Sequence, residues 1–194
     1  MRNARAQNRN STMPVDVLLS GGIDSAAAMA FYLRQDFDVK ALFVDFGQAA
    51  AKQELGAARS LCNYYGAPLS VLTAKCGRSF PTGEISGRNA FLIFAAILVG
   101  KRRPLIVAMG IHEGAPYYDC SGRFLKGIQT IVDGYADGSI KIAAPFLKWN
   151  KPMIWQFCKE SKLPIDMTYS CEKGGTSPCG TCLSCKDREA LYAL

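Results

Sequence analysis

The sequence predicts an α/β fold built on a doubly wound parallel sheet, and three observations lead to that prediction. Short apolar runs alternate with longer helical patterns from residue 15 to residue 161. A glycine pair stands where the first apolar run gives way to the first helical pattern. Four cysteines gather at 171–185 and predict a small metal-binding appendage to the sheet.

Five apolar runs, bounded by glycine, proline or charged residues, predict the strands. The first leads into the glycine pair, and the second ends before Gly47. The third begins at Pro68, the fourth begins at Pro104, and the fifth follows Gly138. The strands are therefore expected at 15–20, 39–46, 68–73, 104–109 and 140–143.

Helical patterns fill the intervals between the strands. The first is rich in alanine, and the third is an apolar run that ends at Gly100. The helices are expected near 25–35, 51–65, 88–101, 122–134 and 151–161. Because strand and helix alternate, the strands should be parallel, and ligands should bind outside their carboxyl ends.

Length and composition bound the organisation of the chain. With 194 residues, 49% of them hydrophobic, it can bury one substantial core. We expect a flexible basic tail at 1–13, an α/β domain at 14–165 and a C-terminal segment at 166–194. The longest apolar run is too short to span a bilayer and the tail lacks a secretory signal, so we expect a cytoplasmic protein without membrane contact. The net charge of +7 suits an anionic small ligand or a nucleic acid.

The glycine pair belongs to a run, Ser-Gly-Gly-Ile-Asp-Ser, that is typical of a phosphate-binding turn. Glycines let backbone N–H groups approach an anion, and the following helix adds positive potential at its first turn. The run is not a Walker loop, because the Gly-Lys-Ser/Thr ending is absent. An ordinary strand-to-helix turn is the structural alternative. The candidate phosphate-binding residues are Leu19, Ser20, Gly21, Gly22, Ile23, Asp24, Ser25 and Ala26.

Cys171, Cys179, Cys182 and Cys185 have the spacing of a tetrahedral metal site. Four thiolates suit Zn²⁺, and four protein ligands leave no open position, so such an ion would be structural. An iron–sulfur cluster could use the same sulfurs, whereas disulfides are disfavoured because nothing indicates export.

Further motifs follow the glycine turn in a recognisable order. The turn itself resembles the pyrophosphate loop (PP-loop) of the ATP pyrophosphatase superfamily, whose Rossmann-like fold is called adenine nucleotide alpha hydrolase-like. After it come Asp45-Phe46-Gly47-Gln48, Gly87-Arg88-Asn89, Tyr118-Asp119-Cys120, Lys151 and the four cysteines. In this order the motifs resemble the 7-cyano-7-deazaguanine synthase family over roughly residues 15–190.

The resemblance implies a ligase that uses ATP and Mg²⁺. Such an enzyme would adenylate the carboxylate of 7-carboxy-7-deazaguanine and convert it with ammonia to an amide and then a nitrile. Lys151 and Arg88 would neutralise charge at the reacting phosphate, and Asp24 and Asp45 would hold Mg²⁺. The candidate substrate-binding residues are Gln48, Arg88, Asn89, His112 and Asp119. Of these, Gln48, Asn89 and Asp119 would bond the edges of the purine-like base, and His112 suits a satisfied polar position equally well.

The resemblance also implies a homodimer, for which Trp149, Trp155 and Phe157 are candidate interface residues or core residues. Ala49 and Ala50 depart from the family, which usually carries Arg-His there. A remodelled acceptor site could pass the activated acid to an amine on a partner protein, and a tRNA thiolase is a further alternative, although Ile23 favours amidation. Direct nucleic-acid binding is disfavoured, because the segment 171–185 has one cation and no aromatic residue.

Overall fold

All the strands of the sheet run parallel, which confirms the predicted fold class. The computed structural model describes residues 13–75, 77, 80, 83–100 and 105–193. Within these residues the strands are β1 (Pro14–Leu18), β2 (Asp38–Asp45), β3 (Leu69–Thr73), β4 (Leu105–Met109) and β5 (Ile140–Ala143). They form one sheet in the order β3-β2-β1-β4-β5. In its register Leu18 of β1 lies opposite Leu42 of β2 and Met109 of β4.

The predicted helices are present, with ends that differ by a few residues. They are α1 (Ile23–Leu33), α2 (Ala51–Tyr65), α3 (Arg88–Val99), α4 (Gly122–Ala136) and α5 (Lys151–Glu160). A sixth helix, α6 (Leu183–Tyr192), was not predicted, nor were the short 3-10 helices Tyr118–Cys120 and Ile165–Met167. The predicted flexible tail, apart from Met13, lies outside the described residues, as do Lys101 and Pro104 at the edges of two predicted elements.

Helices cover both faces of the sheet, so its two faces are buried in two separate cores. One core joins alternate residues of β1, such as Val15 and Val17, to α1, α2 and α5. The other joins the intervening residue positions, such as Leu18 and Leu42, to α3 and α4. The first helix carries alanine at 26–28 and again at 30, and these alanines are at most 2% exposed, so α1 packs closely on the central strands.

The direction of strand addition reverses at β1. The chain adds β2 and β3 on one side of β1 and then crosses over to add β4 and β5 on the other side. Such a reversal opens a crevice at the carboxyl ends of the two strands that flank it. Gly110, which follows β4, allows this end of the sheet to approach α1 closely, because an added Cβ would overlap the backbone of Asp24.

Trp149, Trp155 and Phe157, which were candidates for either a dimer interface or the core, belong to the core. Trp155 is buried, and Trp149 and Phe157 pack against buried Phe146 at ring distances of 4.9 and 5.3 Å. The predicted homodimer therefore gains no support from these residues and stays a prediction. No helix in the described part of the chain combines the length and apolarity that a bilayer crossing requires.

Candidate functional site

The glycine turn is held in a tight conformation between β1 and α1. Gly21 has a φ of +84°, and a Cβ at this position would lie 2.6 Å from the carbonyl oxygen of Glu54 on α2. Only glycine satisfies both constraints. The hydroxyls of Ser20 and Ser25 lie 3.1 Å apart, and Ser25 Oγ also donates to the carbonyl oxygen of Gly22. Two hydroxyls and the first turn of α1 therefore converge at one point, as an anion site requires.

A cavity of about 630 Å³ opens beside the glycine turn at the carboxyl ends of β1, β2 and β4. This is the position expected from the reversal of strand order. Phe46, Phe80, Leu92 and Tyr117 give it an apolar wall. Of the predicted site residues, those lining the cavity are Leu19, Ser20, Gly22, Ile23, Asp24, Ser25, Gln48, Arg88, Asn89, His112 and Lys151; those that do not are Gly21, Ala26, Asp45 and Asp119.

Lys151 and Asp24 form an ion pair within the cavity. Lys151 is the first residue of α5, whose N-cap Asn150 accepts a hydrogen bond from the N–H of Met153. The Lys151 Nζ lies 2.5 Å from Asp24 Oδ2. The other oxygen, Asp24 Oδ1, is buried and has no hydrogen-bond partner in the described part of the protein. A buried carboxylate oxygen without a donor is suited to a divalent cation.

Asp45 is engaged beside the cavity rather than in it. Its Oδ2 lies 3.0 Å from Lys75 Nζ, and its Oδ1 accepts the N–H of Gly47 at 3.1 Å. Both carboxylate oxygens therefore shape the turn after β2. A role for Asp45 in holding Mg²⁺ stays a prediction, and it would require Lys75 to leave.

The Gln48 side chain stabilises the turn after β2 through hydrogen bonds. Its Oε1 accepts the N–H of Phe46, and its Nε2 donates to the Val44 carbonyl and to Glu54 Oε2 at 3.2 and 2.9 Å. Burial raises the pKa of Glu54, while the Gln48 amide and the Arg88 guanidinium oppose that rise. The side chain of Gln48 thus positions the wall of the cavity through three internal hydrogen bonds.

Asn89 and Asp119 are joined by two hydrogen bonds. The backbone N–H of Asn89 donates to Asp119 Oδ2 at 3.3 Å, and the Asn89 side-chain amide donates to the Asp119 carbonyl at 3.0 Å. Arg88 Nε donates to Asn89 Oδ1 at 3.4 Å. These bonds fix the first turn of α3, so the backbone of Arg88 is held in place where its side chain lines the cavity.

His112 is buried at the end of β4 and lines the cavity. Its Nδ1 accepts the N–H of Gly114 at 3.1 Å, which leaves the proton of the neutral ring on Nε2. Burial lowers the pKa of His112, and the charge of Lys151 acts in the same direction, while Asp24 and Asp187 oppose them. His112 is therefore a neutral hydrogen-bond donor at neutral pH.

The C-terminal segment supplies a wall of the cavity that sequence reasoning missed. Tyr169, Glu172, Asp187 and Arg188 line it, the last two from α6. Arg188 also donates to the Thr168 carbonyl at 3.0 Å and to the Tyr192 hydroxyl at 3.1 Å. No motif in the sequence marked these residues, because their place in the cavity depends on how α6 packs.

The four predicted cysteine ligands come together. Cys171, Cys179, Cys182 and Cys185 place their sulfurs within 4.8 Å of one another, and the Cys179–Cys185 distance is 3.9 Å. Tetrahedral zinc–thiolate bonds of about 2.3 Å imply sulfur–sulfur distances of about 3.8 Å. The N–H groups of Cys179 and Cys182 point to Cys171 Sγ and Cys179 Sγ, as thiolate ligands require. The donor set fits a metal ion or an iron–sulfur cluster.

A parallel sheet with a glycine turn after its first strand, and a cavity where the strand order reverses, defines a doubly wound α/β protein with a ligand site at the switch point. A family model described as "Queuosine biosynthesis protein QueC" matches residues 15–81 and 72–194. The chain therefore belongs to the QueC family. It is 32% identical to a 7-cyano-7-deazaguanine synthase of Synechococcus sp. (strain CC9605), with 89% of each chain covered, and 31% identical to that of Prochlorococcus marinus (strain MIT 9303), with 91% of each covered.

Solved structures share the fold at low sequence identity. The U34-tRNA thiolase NcsA from Methanococcus maripaludis, solved with its [4Fe-4S] cluster, has a TM-score of 0.57 and 17% identity. The match covers 94% of this chain and 65% of the thiolase chain. A predicted subunit of tRNA methyltransferase from Methanocaldococcus jannaschii has a TM-score of 0.52 over 76% of each chain, also at 17% identity. At such identities the likeness concerns the fold alone.

Proposed function

We propose that the protein is an ATP-dependent ligase that converts 7-carboxy-7-deazaguanine to 7-cyano-7-deazaguanine by way of an adenylate and an amide. One observation carries the proposal: the glycine turn and the Lys151–Asp24 pair face the same cavity. A turn suited to pyrophosphate beside a cation suited to the α-phosphate is what adenylation of a carboxylate needs. The names of the QueC-family relatives supply the product, 7-cyano-7-deazaguanine, and the acid follows as the carboxylate that an adenylating ligase would convert to that nitrile.

In the proposed reaction the carboxylate oxygen attacks the α-phosphorus of ATP, and the bond to pyrophosphate breaks. Backbone N–H groups of the glycine turn and the hydroxyls of Ser20 and Ser25 hold the departing pyrophosphate. Lys151 and Arg88 offset the negative charge that accumulates where two anions approach each other. Ammonia then displaces AMP from the acyl adenylate to give the amide. A second ATP adenylates the amide oxygen with release of pyrophosphate, and that oxygen leaves in AMP as the nitrogen loses its two protons, which gives the nitrile.

Mg²⁺ would be held by Asp24, whose buried Oδ1 has no donor among the described residues. The ion supplies charge neutralisation at the phosphates when it is bound. Asp24 would then share its two oxygens between the ion and Lys151, which keeps the lysine aimed at the phosphate. Asp45 is the weaker candidate, because Lys75 and Gly47 occupy both of its oxygens.

The planar base would lie against the apolar wall formed by Phe46, Phe80, Leu92 and Tyr117. His112, as a neutral Nε2–H donor, is the polar group best suited to the base. The predicted contacts through Gln48, Asn89 and Asp119 would act indirectly, since these side chains already bond to the protein. Their removal should misplace the wall rather than delete one substrate bond.

We propose Zn²⁺ for the four cysteines, because four thiolates at tetrahedral spacing suit it and no coordination position would remain for chemistry. The cysteines and Tyr169 form only a small cluster of their own. The metal would therefore supply much of the free energy that folds this segment.

The test is incubation of the purified protein with ATP, Mg²⁺, 7-carboxy-7-deazaguanine and ammonium, with pyrophosphate and the nitrile measured by coupled assay and mass spectrometry. We expect both products, and we expect pyrophosphate release to require the acid. AMP and pyrophosphate without nitrile would contradict nitrile formation and favour an amine on a partner protein as acceptor. No pyrophosphate with the acid present would contradict the adenylation itself.

A further inference from the structure

The C-terminal segment is bonded directly to the glycine turn. The N–H of Tyr169 donates to the carbonyl oxygen of Gly21 at 2.9 Å. Gly21 also presses against α2, so its peptide is fixed from two sides. The segment at Tyr169 is therefore tied to the backbone of the turn that would hold pyrophosphate.

A second contact joins the segment to the turn after β2. Gly174 has a φ of +71°, and its Cα faces the backbone of Ala49 and Ala50 so closely that an added Cβ would overlap the Ala49 carbonyl oxygen. Ala50 is buried, and both alanines line the cavity. The C-terminal segment thus supports the cavity at two places, beside the glycine turn and beside the turn after β2.

The segment is held in shape by bonds that span the metal site. The Tyr169 hydroxyl donates to the Gly175 carbonyl at 2.8 Å. Glu172 Oε1 accepts the N–H and the hydroxyl of Ser184 at 3.1 and 2.8 Å, which fastens the loop after Cys171 to the start of α6. Because these bonds tie Tyr169 and the start of α6 to the loop between Cys171 and Cys179, an ion that draws the cysteines together would also set the positions of Tyr169 and α6.

We infer that metal binding at the four cysteines and ATP binding at the glycine turn are positively coupled, with Tyr169 and Gly174 as the positioning residues. The inference rests on the proposed function, since ATP is its ligand. Coupling between two sites is reciprocal, so the factor by which the metal tightens ATP binding equals the factor by which ATP tightens metal binding. The ion would thus act on the reaction through the backbone rather than at the substrate.

The chain offers a matched pair of glycines for the test. Gly174 and Gly180 lie in the same segment and have φ values of +71° and +68°, so alanine imposes similar backbone strain at both. The new Cβ would meet a neighbour at Gly174, whereas no described residue lies within 4 Å of the Cβ position at Gly180. The metal content of each variant is measured by elemental analysis, and ATP binding is measured by calorimetry.

We expect both G174A and G180A to retain one metal equivalent per chain. ATP should bind G174A about fivefold or more weakly than wild type, in the usual range of coupling between sites, while G180A stays close to wild type. Unchanged ATP affinity in a metal-loaded G174A would overturn the inference. A wild-type protein that binds no ATP would instead overturn the proposed function, so the two failures are distinguishable.

A measurement on the wild type covers the case in which G174A loses its metal. Zinc is partitioned at equilibrium between the protein and a colorimetric chelator, with and without ATP in excess Mg²⁺. Saturating ATP should shift the partition toward the protein by about fivefold or more, and Y169F should show a smaller shift. An identical partition with and without bound ATP would refute the coupling, whatever the variants do.

Discussion

Replacing Lys151 by methionine should remove most of the proposed adenylation activity and leave a folded protein. The Nζ lies 2.5 Å from Asp24 Oδ2, with the two side chains 31% and 24% exposed. The pair is therefore intermediate between exposed pairs, worth up to about 1 kcal/mol, and buried pairs, whose disruption costs about 3–5 kcal/mol. We expect K151M to lower the free energy of unfolding by about 1–3 kcal/mol.

The catalytic effect of K151M should be much larger than its effect on stability. A preorganised cation at developing phosphate charge contributes about 10²–10³ in kcat, so pyrophosphate release should fall by that factor. Lys148 offers a matched control, because it also pairs with a carboxylate, Glu113, at 3.0 Å, but lies outside the cavity lining. K148M should retain its activity and nearly all of its stability, because exposed ion pairs contribute little.

A double-mutant cycle completes the experiment. D24N, K151M and the double variant are unfolded in urea, and the coupling energy should be about 1–2 kcal/mol, within the range for residues in contact. Pyrophosphate release by K151M within about threefold of wild type would refute the assigned role, since the loss of a transition-state cation is far larger. A coupling energy of zero would refute the ion pair itself.

Three further predictions concern the turn, the buried histidine and the cysteines. G21A should lose about 2–5 kcal/mol in urea unfolding, because it adds overlap with α2 to the strain of a left-handed φ. G66A should lose only about 1–2 kcal/mol, because no described residue lies within 4 Å of its Cβ position; equal losses would contradict the packing of the turn. Burial lowers the pKa of His112, so the unfolded chain binds a proton that the folded chain excludes, and the free energy of unfolding should decline as the pH falls below about 6.5; H112Q should flatten that decline, and an unchanged pH profile would contradict the buried neutral ring. C185S should fail to retain a stoichiometric metal ion in elemental analysis, and full retention would contradict the four-thiolate site.

The sheet was predictable because its strands are short and its central strands β1 and β4 are mostly apolar. A run such as Val15–Leu19 is suited to the interior of a parallel sheet. Because the strands alternate with helices, all of them run in the same direction. The order of the strands in the sheet could not be predicted from the sequence. It follows from which helix packs on which face, and this depends on side-chain contacts between elements far apart in the chain.

The site was predictable where a motif names a backbone shape or a ligand set, as for Gly21 and the four cysteines. It was less predictable where a side chain has a choice of partners. Gln48 and Asn89 could each bond to a ligand or to the protein, and only their neighbours in space show that the protein uses their bonds. Helix α6 escaped prediction because it begins inside the cysteine cluster and buries little besides Cys185 and Leu191.

One wall of the cavity comes from the glycine turn, and further support comes from α6, which begins at Leu183. During synthesis on the ribosome, all five strands emerge before that support exists. A nascent chain can thus complete its sheet while its nucleotide pocket stays open to water on one side. Premature termination before the cysteines would accordingly yield a sheet domain that folds but grips its phosphates poorly.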